Sequence, residues 1–141
     1  MTNILVPVSP GELLDKITIL RIKAARMTGT QLENVRVELD LLSGTWRDSG
    51  CAARSLAADE QALQAVNEKL WDIEDRIREK ESAQRFDGEF IELARAVYFS
   101  NDERAAIKRR INTRLGSRLL EEKSYAPYRT HGPQPDGNPP R

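Results

Sequence analysis

The sequence predicts an all-α protein, an antiparallel bundle of about five helices with a short extended arm in front. Apolar residues recur at three- and four-residue spacings through most of residues 10–115, and this is the period of amphipathic helices. Residues that start or stop helices divide the pattern into segments with short links, which favour antiparallel neighbours. The 141 residues suit one domain, predicted over residues 1–128. A Pro/Gly-rich tail, predicted to be disordered, follows at 129–141.

The arm and the first helix are defined by their residue types. Residues 4–8 are apolar and contain Pro7, which is typical of an edge strand or an extended arm. Ser9, Pro10 and Glu12 provide an N-cap, a first-turn proline and a capping box. Thr28 and Gly29 end this helix. Its apolar face consists of Leu13, Ile17, Leu20, Ala24 and Met27.

The remaining helices follow from the same patterns. A second helix is predicted over residues 31–47 and a third, with a heptad-like seam, over 52–84. Asp87 is the expected N-cap of a fourth helix over 88–99. A capping box at residues 100–103 opens a fifth helix that ends at Gly116. The fourth and fifth segments also fit one kinked helix.

Two helices carry more apolar surface than one buried stripe requires. Ile19 and Ile22 lie opposite the main apolar face of the first helix, and Val37 and Leu41 lie opposite Leu39 on the second. Either each helix is sandwiched between neighbours of the same chain, or the extra surface mediates self-association. We expect a homo-oligomer.

The third helix carries a polar stripe beside its apolar seam. Asn67, Trp71, Glu74 and Arg78 follow one another at four-, three- and four-residue spacings. An amide, an indole, a carboxylate and a guanidinium on one flank could hold a polar ligand. The alternative is structural: an intrahelical Glu74–Arg78 pair, with Trp71 covering the core.

The segment 104–118 contains six basic residues and no acidic one. Arg104, Arg110 and Arg114 fall near its apolar face, and a buried guanidinium needs a partner. That partner is either an anionic ligand or an internal carboxylate. The internal candidates are Glu74, Glu89, Glu92, Glu121 and Glu122. Nucleic-acid binding is a third hypothesis, which is disfavoured because no aromatic residues alternate with the charges.

Composition excludes several classes of site. The 22 basic and 22 acidic residues give no net charge, which disfavours a dedicated nucleic-acid or membrane-surface binder. No apolar run approaches a membrane span, and no signal peptide is recognisable. The single cysteine and the single histidine, Cys51 and His131, leave no Ser-His-Asp triad and no His/Cys zinc cluster. We expect a cytoplasmic protein with no cofactor and no metal.

Several ordered blocks give the chain a resemblance to a known family. They are residues 8–20, 67–78, 90–98, 107–112 and 121–125, with the pair Asn101–Asp102. Together they resemble an uncharacterised bacterial family of small helical proteins, over residues 5–128. The resemblance implies association with glycosyltransferases of surface-polysaccharide loci. It implies no catalytic residue.

These observations lead to two functional hypotheses, and the sequence leaves open whether the protein is an enzyme. The first is a binding or accessory protein of surface-glycan biosynthesis with a glycosyltransferase partner. The second is an enzyme or ligand-binding protein for a phosphorylated or carboxylated metabolite. Residues 14–20 are loosely similar to the first helix of helical chorismate mutases. Glu68, Asp72, Asp75 and Asp102 imitate the Mg²⁺ ligands of all-α nucleotide pyrophosphatases, so Mg²⁺ enters only under this second hypothesis.

The ligand-binding residues predicted from the sequence belong to the third, fourth and fifth helices. They are Asn67, Trp71, Glu74, Arg78, Arg95, Tyr98, Asn101, Asp102, Arg104 and Lys108. In the second hypothesis the amide, indole and acidic groups of the third helix orient an anionic small molecule. The basic residues neutralise its charge.

Overall fold

A computed structural model describes residues 2–128 and is all-helical, with no strand in that range. The helices are α1 (Pro10–Arg26), α2 (Gly29–Asp48), α3 (Ala57–Ser82) and α4 (Gly88–Arg114). A short 3-10 helix, Cys51–Ala53, lies between α2 and α3. The all-α class is therefore confirmed. The tail predicted at 129–141 lies outside the described residues.

Residues 2–128 form four α-helices where five were predicted, because α4 runs without a break through residues 88–114. The capping box expected at residue 100 does not form. A cap requires a non-helical backbone, whereas Ser100 is helical, and its side chain is buried inside the fold. The alternative of one helix through this region is the one observed.

The ends of the helices show which of the predicted helix caps form. Ser9 Oγ accepts a hydrogen bond from Glu12 N at 3.2 Å, and Asp87 Oδ1 accepts one from Phe90 N at 3.1 Å. Both predicted N-caps are thus present. The third helix begins at Ala57 rather than at residue 52, because residues 51–53 form the 3-10 helix. The arm, residues 4–8, is exposed and forms no strand.

The core lies where α1, α3 and α4 meet. Leu14, Leu63 and Ile111 are completely buried, one from each of these helices. Because α1 contacts all three other helices, its extra apolar residue Ile22 is buried inside the chain. The second apolar sector of α2 is not covered in this way: Val37 is 71% exposed and Leu41 is 54% exposed.

Candidate functional site

The chain that follows α4 returns along the surface of that helix. We call residues 117–128 the strap. Gly116 adopts a left-handed backbone conformation with φ 64°, and Ser117 N donates to Asn112 O at 2.9 Å, so the helix ends in a Schellman-type turn. Glu121 then pairs with Lys108, and Tyr128 with Asp102. The strap therefore runs from the end of α4 back toward its middle.

A cleft lies between the strap and α4, and Glu12 of α1 closes one end. Its volume is about 1020 Å³. From α4 it is lined by Tyr98, Asn101, Asp102, Arg104 and Lys108. The strap contributes Lys123, Tyr125 and Tyr128. The cleft thus combines tyrosine rings, cations and carboxylates on a wall formed by a helix.

A buried carboxylate holds the floor of the cleft in place. Asp15 is only 1% exposed, and its Oδ1 accepts hydrogen bonds of 2.9 Å from Arg104 Nε and from Asn67 Nδ2. Its Oδ2 forms an ion pair with the other side of the Arg104 guanidinium. Asn67 also donates to Thr18 Oγ1 at 2.9 Å. This network holds the Arg104 guanidinium in one orientation from the buried side of the cleft floor.

Lys108 lies on the same floor and is shared among carboxylates. Its Nζ donates to Glu12 Oε2 at 2.6 Å and to Glu121 Oε2 at 3.2 Å, and Asp15 Oδ2 is 3.8 Å away. Burial by itself would lower the pKa of Lys108. The hydrogen bond to Glu12 and the charges of the nearby carboxylates outweigh burial, so this pKa is raised. Lys108 therefore remains an ammonium in the cleft.

The start of α1 is fixed against α4 at the same place. Gly11 N donates to Asn112 Oδ1 at 2.7 Å. A Cβ atom at Gly11 would lie 2.6 Å from the backbone oxygen of Lys108. Glycine is therefore required by the close approach of the two helices, which brings Glu12 within reach of Lys108.

An aromatic cluster forms the opposite end of the cleft. The ring centroid of Tyr128 lies 5.4 Å from the centroid of Tyr98 and 5.3 Å from the centroid of Phe99. The Tyr128 hydroxyl donates a hydrogen bond to Asp102, which raises the pKa of Tyr128. The ring and the hydroxyl of Tyr128 together dock the end of the strap on α4.

The predicted ligand-binding residues fall into two groups. Five of them line the cleft: Tyr98, Asn101, Asp102, Arg104 and Lys108. Asn67 lies behind the floor, where it bonds to Asp15. The other four lie outside the residues that line the cleft.

These four residues make contacts of their own. Glu74 and Arg78 form the intrahelical ion pair, as the structural alternative predicted. The Arg26 guanidinium lies 5.6 Å from the centre of the Trp71 ring. Arg95 pairs with Glu92 at 2.9 Å. Trp71, Glu74 and Arg78 of the polar stripe therefore lie apart from the cleft lining.

The structure corrects both the expected burial and the expected partners of three arginines: Arg110 and Arg114 are exposed, and Arg104 is half-buried. Arg104 pairs with Asp15, whereas Arg110 and Arg114 pair with Asp59 at 2.7 and 3.2 Å. Neither aspartate was among the carboxylates expected from the sequence. Both interrupt an apolar stripe, since Asp15 precedes Ile19 and Asp59 precedes Leu63 by one helical turn. A charged residue on a buried face was the signal that could have identified them.

Candidate metal ligands are not grouped within the part of the chain that the structure describes. Within residues 2–128, no three His, Cys, Asp or Glu side chains are grouped closely enough to hold a metal ion. The acidic residues considered for Mg²⁺ from the sequence are accordingly not a cluster. One of them, Asp72, forms an ion pair with Arg26 at 2.8 Å.

Comparison with known proteins identifies the family. A family of unknown function, DUF6165, matches residues 4–138. The chain belongs to the DUF6165 family. No curated protein and no solved structure matches it significantly. The match covers the arm, all four helices and the strap, so the cleft lies entirely within the DUF6165 region. Of the helices described here, none has both the length and the apolar character needed to cross a membrane.

Proposed function

We propose that the protein is a cytoplasmic binding module that holds a sugar-containing ligand in the cleft and serves bacterial surface-glycan biosynthesis. The observation that carries this proposal is the tyrosine-lined cleft in which Tyr98 and Tyr128 lie beside Asn101 and Asp102. A sugar ring has apolar C–H faces that stack on aromatic rings. Its hydroxyl groups need amide and carboxylate partners.

The charge state of the cleft supports an uncharged ring as the main recognised group. Arg104 is paired with Asp15, Lys108 with Glu12 and Glu121, and Lys123 with Glu121. A cation that already has a carboxylate partner gains less from a small free anion than an unpaired cation would. Aromatic and polar contacts are therefore expected to supply most of the affinity.

A second candidate function is an enzyme or binding protein for a phosphorylated or carboxylated metabolite. The observation that favours it is the presence of both Arg104 and Lys108 on the floor of one cleft. Preorganised cations of this kind stabilise negative charge that develops in a transition state. Turnover of a bound ligand would distinguish this candidate from the binding module.

We also infer that the protein assembles with copies of itself and with a glycosyltransferase. The exposed Val37 and Leu41 of α2 support self-association, and the resemblance described above supports the enzyme partner. For the predicted antiparallel arrangement of the helices, support comes from α3 and α4. Lys80 pairs with Asp87 beside their connecting turn, and Asp59 pairs with Arg114 at their far ends.

A thermal-shift screen tests the binding function. The panel contains free monosaccharides, methyl glycosides, nucleotide sugars and sugar phosphates. A ligand at one hundred times its Kd stabilises the folded state by about 2.7 kcal/mol, which raises Tm by several degrees. Tyr98→Ala should abolish the shift. Phe86→Ala, which removes an exposed ring outside the cleft lining, should preserve it. A panel without any shift would contradict the proposal.

A further inference from the structure

We propose that the Glu121 carboxylate occupies the place of an acidic group of the ligand, and that a sugar with a singly charged acidic group displaces the Glu121 side chain from Lys108 while Tyr128 stays docked on α4. This inference rests on the proposed function, because it concerns the same cleft. It names the chemistry of the ligand more closely: the carboxylate of a uronic acid or the single phosphodiester of a glycosyl phosphate ester.

The two carboxylates that accept hydrogen bonds from Lys108 differ in how firmly the fold holds them. Glu12 projects from α1, its contact with Lys108 Nζ is 2.6 Å, and its side chain is 33% exposed. Glu121 projects from the strap, which has no regular secondary structure. Its contact with Lys108 Nζ is 3.2 Å, and its side chain is 48% exposed. Glu121 is therefore the partner that a competing anion replaces.

The strap itself is held by few contacts. Residues 118–128 are all exposed. Few polar side-chain contacts are described between the strap and α4. They join Glu121 to Lys108, Glu122 to Arg109 at 3.4 Å, and Tyr128 to Asp102. Segments with few buried contacts open at low free-energy cost.

The charges around Lys108 indicate an acidic group with one negative charge. Arg104 and Lys108 are surrounded by Asp15, Glu12 and Glu121. When the Glu121 side chain moves away, one carboxylate leaves this group. A ligand carboxylate or phosphodiester replaces that one charge, whereas a phosphate monoester introduces nearly two. The exchange then leaves the charge around Lys108 unchanged.

The test compares two neighbouring glutamates of the strap. Glu121→Gln removes the competing charge inside the cleft. Glu122→Gln makes the same change at a residue outside the cleft lining, where the partner is Arg109. Calorimetric titrations use glucuronic acid and methyl glucosyl phosphate as the two singly charged acidic probes and methyl glucoside as the neutral probe. Circular dichroism and thermal unfolding establish that both variants are folded.

Glu121→Gln is expected to bind at least one acidic probe about three- to fivefold more tightly than the wild type, as removal of a partly exposed ion pair predicts. Its affinity for methyl glucoside, and the affinity of Glu122→Gln for each of the three probes, should equal those of the wild type. A gain with glucuronic acid alone identifies a carboxylate, and a gain with methyl glucosyl phosphate alone identifies a phosphodiester.

Several results would overturn the inference. They are an unchanged or weaker affinity for both acidic probes in Glu121→Gln, an equal gain for methyl glucoside, or an equal gain in Glu122→Gln. If Tyr98-dependent binding of methyl glucoside persists in that case, the proposed function stands and only the role of Glu121 fails. If no probe binds the wild type or either variant, both the cleft ligand and the role of Glu121 are rejected.

Discussion

The carboxylate of Asp15 and the guanidinium of Arg104 form a two-sided ion pair that joins the first helix to the last. Both oxygens of Asp15 face Arg104, and Asn67 of α3 donates to one of them. Three helices therefore meet at one desolvated negative charge. The same pair orients a cation on the floor of the cleft, so the stability of the fold and the geometry of the site depend on the same residues.

Replacing this carboxylate should cost much more stability than replacing an exposed one. Asp15→Asn leaves Arg104, whose side chain is 29% exposed, without its anion, and we expect the free energy of unfolding to fall by about 3 kcal/mol. The matched control is Asp72→Asn, whose carboxylate pairs with Arg26 but is 68% exposed. It should lose less than about 1 kcal/mol. Urea denaturation measures both, and equal losses would contradict the prediction.

Local chemistry made much of this fold predictable from the sequence. Ser9 and Asp87 cap helices because their side-chain oxygens reach backbone N–H groups three residues ahead, whatever the tertiary structure is. The apolar spacing of α1 and α3 likewise fixes which faces are buried. Five predicted binding residues share one cleft because helical periodicity places residues 98–108 along one segment of α4.

The remainder depends on long-range contacts that no local pattern encodes. Asp15 meets Arg104 across 89 residues of sequence, and Asp59 meets Arg110 across 51. The strap was missed because residues 117–128 have neither helical nor strand periodicity. The predicted capping box at Ser100 failed because tertiary packing buries that side chain in a continuous helix, overriding its local preference.

The two helical glycines Gly11 and Gly44 should respond in opposite directions to alanine. At Gly11 the new Cβ would lie 2.6 Å from a backbone oxygen of α4, so the helices must separate, and we expect a loss of about 1–3 kcal/mol. At Gly44 the nearest atom is the end of the Arg47 side chain at 3.7 Å. There, alanine should stabilise the protein by up to about 1 kcal/mol. Thermal unfolding compares the two variants, and a stabilised Gly11→Ala would contradict the close helix contact.

The strap should leave α4 in acid, below the ordinary pKa of a glutamate. Its contacts with Lys123 and Lys108 hold the pKa of Glu121 below the usual range. A lowered pKa in the folded state means that the stabilisation is complete above the ordinary value of about 4.3, and is lost as the pH falls through the lowered value. The backbone amide signals of residues 118–128 should therefore shift together in an NMR titration between about pH 6 and about pH 3.

Two variants isolate the group responsible for this transition. Glu121→Gln should remove the acid transition, because its side chain has no carboxylate to protonate. Glu122→Gln should retain it. A transition of unchanged midpoint in Glu121→Gln would show that another carboxylate controls the strap.

The exposed apolar face of α2 should control self-association. Val37 and Leu41 are one helical turn apart and lie on the same face, and apolar pairs of this kind are covered in a stable assembly. We expect the wild type to be a homo-oligomer at high micromolar concentration in size-exclusion chromatography with light scattering. Val37→Glu should convert it to a monomer, because a carboxylate in an apolar contact is desolvated without a partner. Gln31→Glu adds the same charge at another exposed position of α2 and should leave the oligomer intact. A monomeric wild type would rule out this interface.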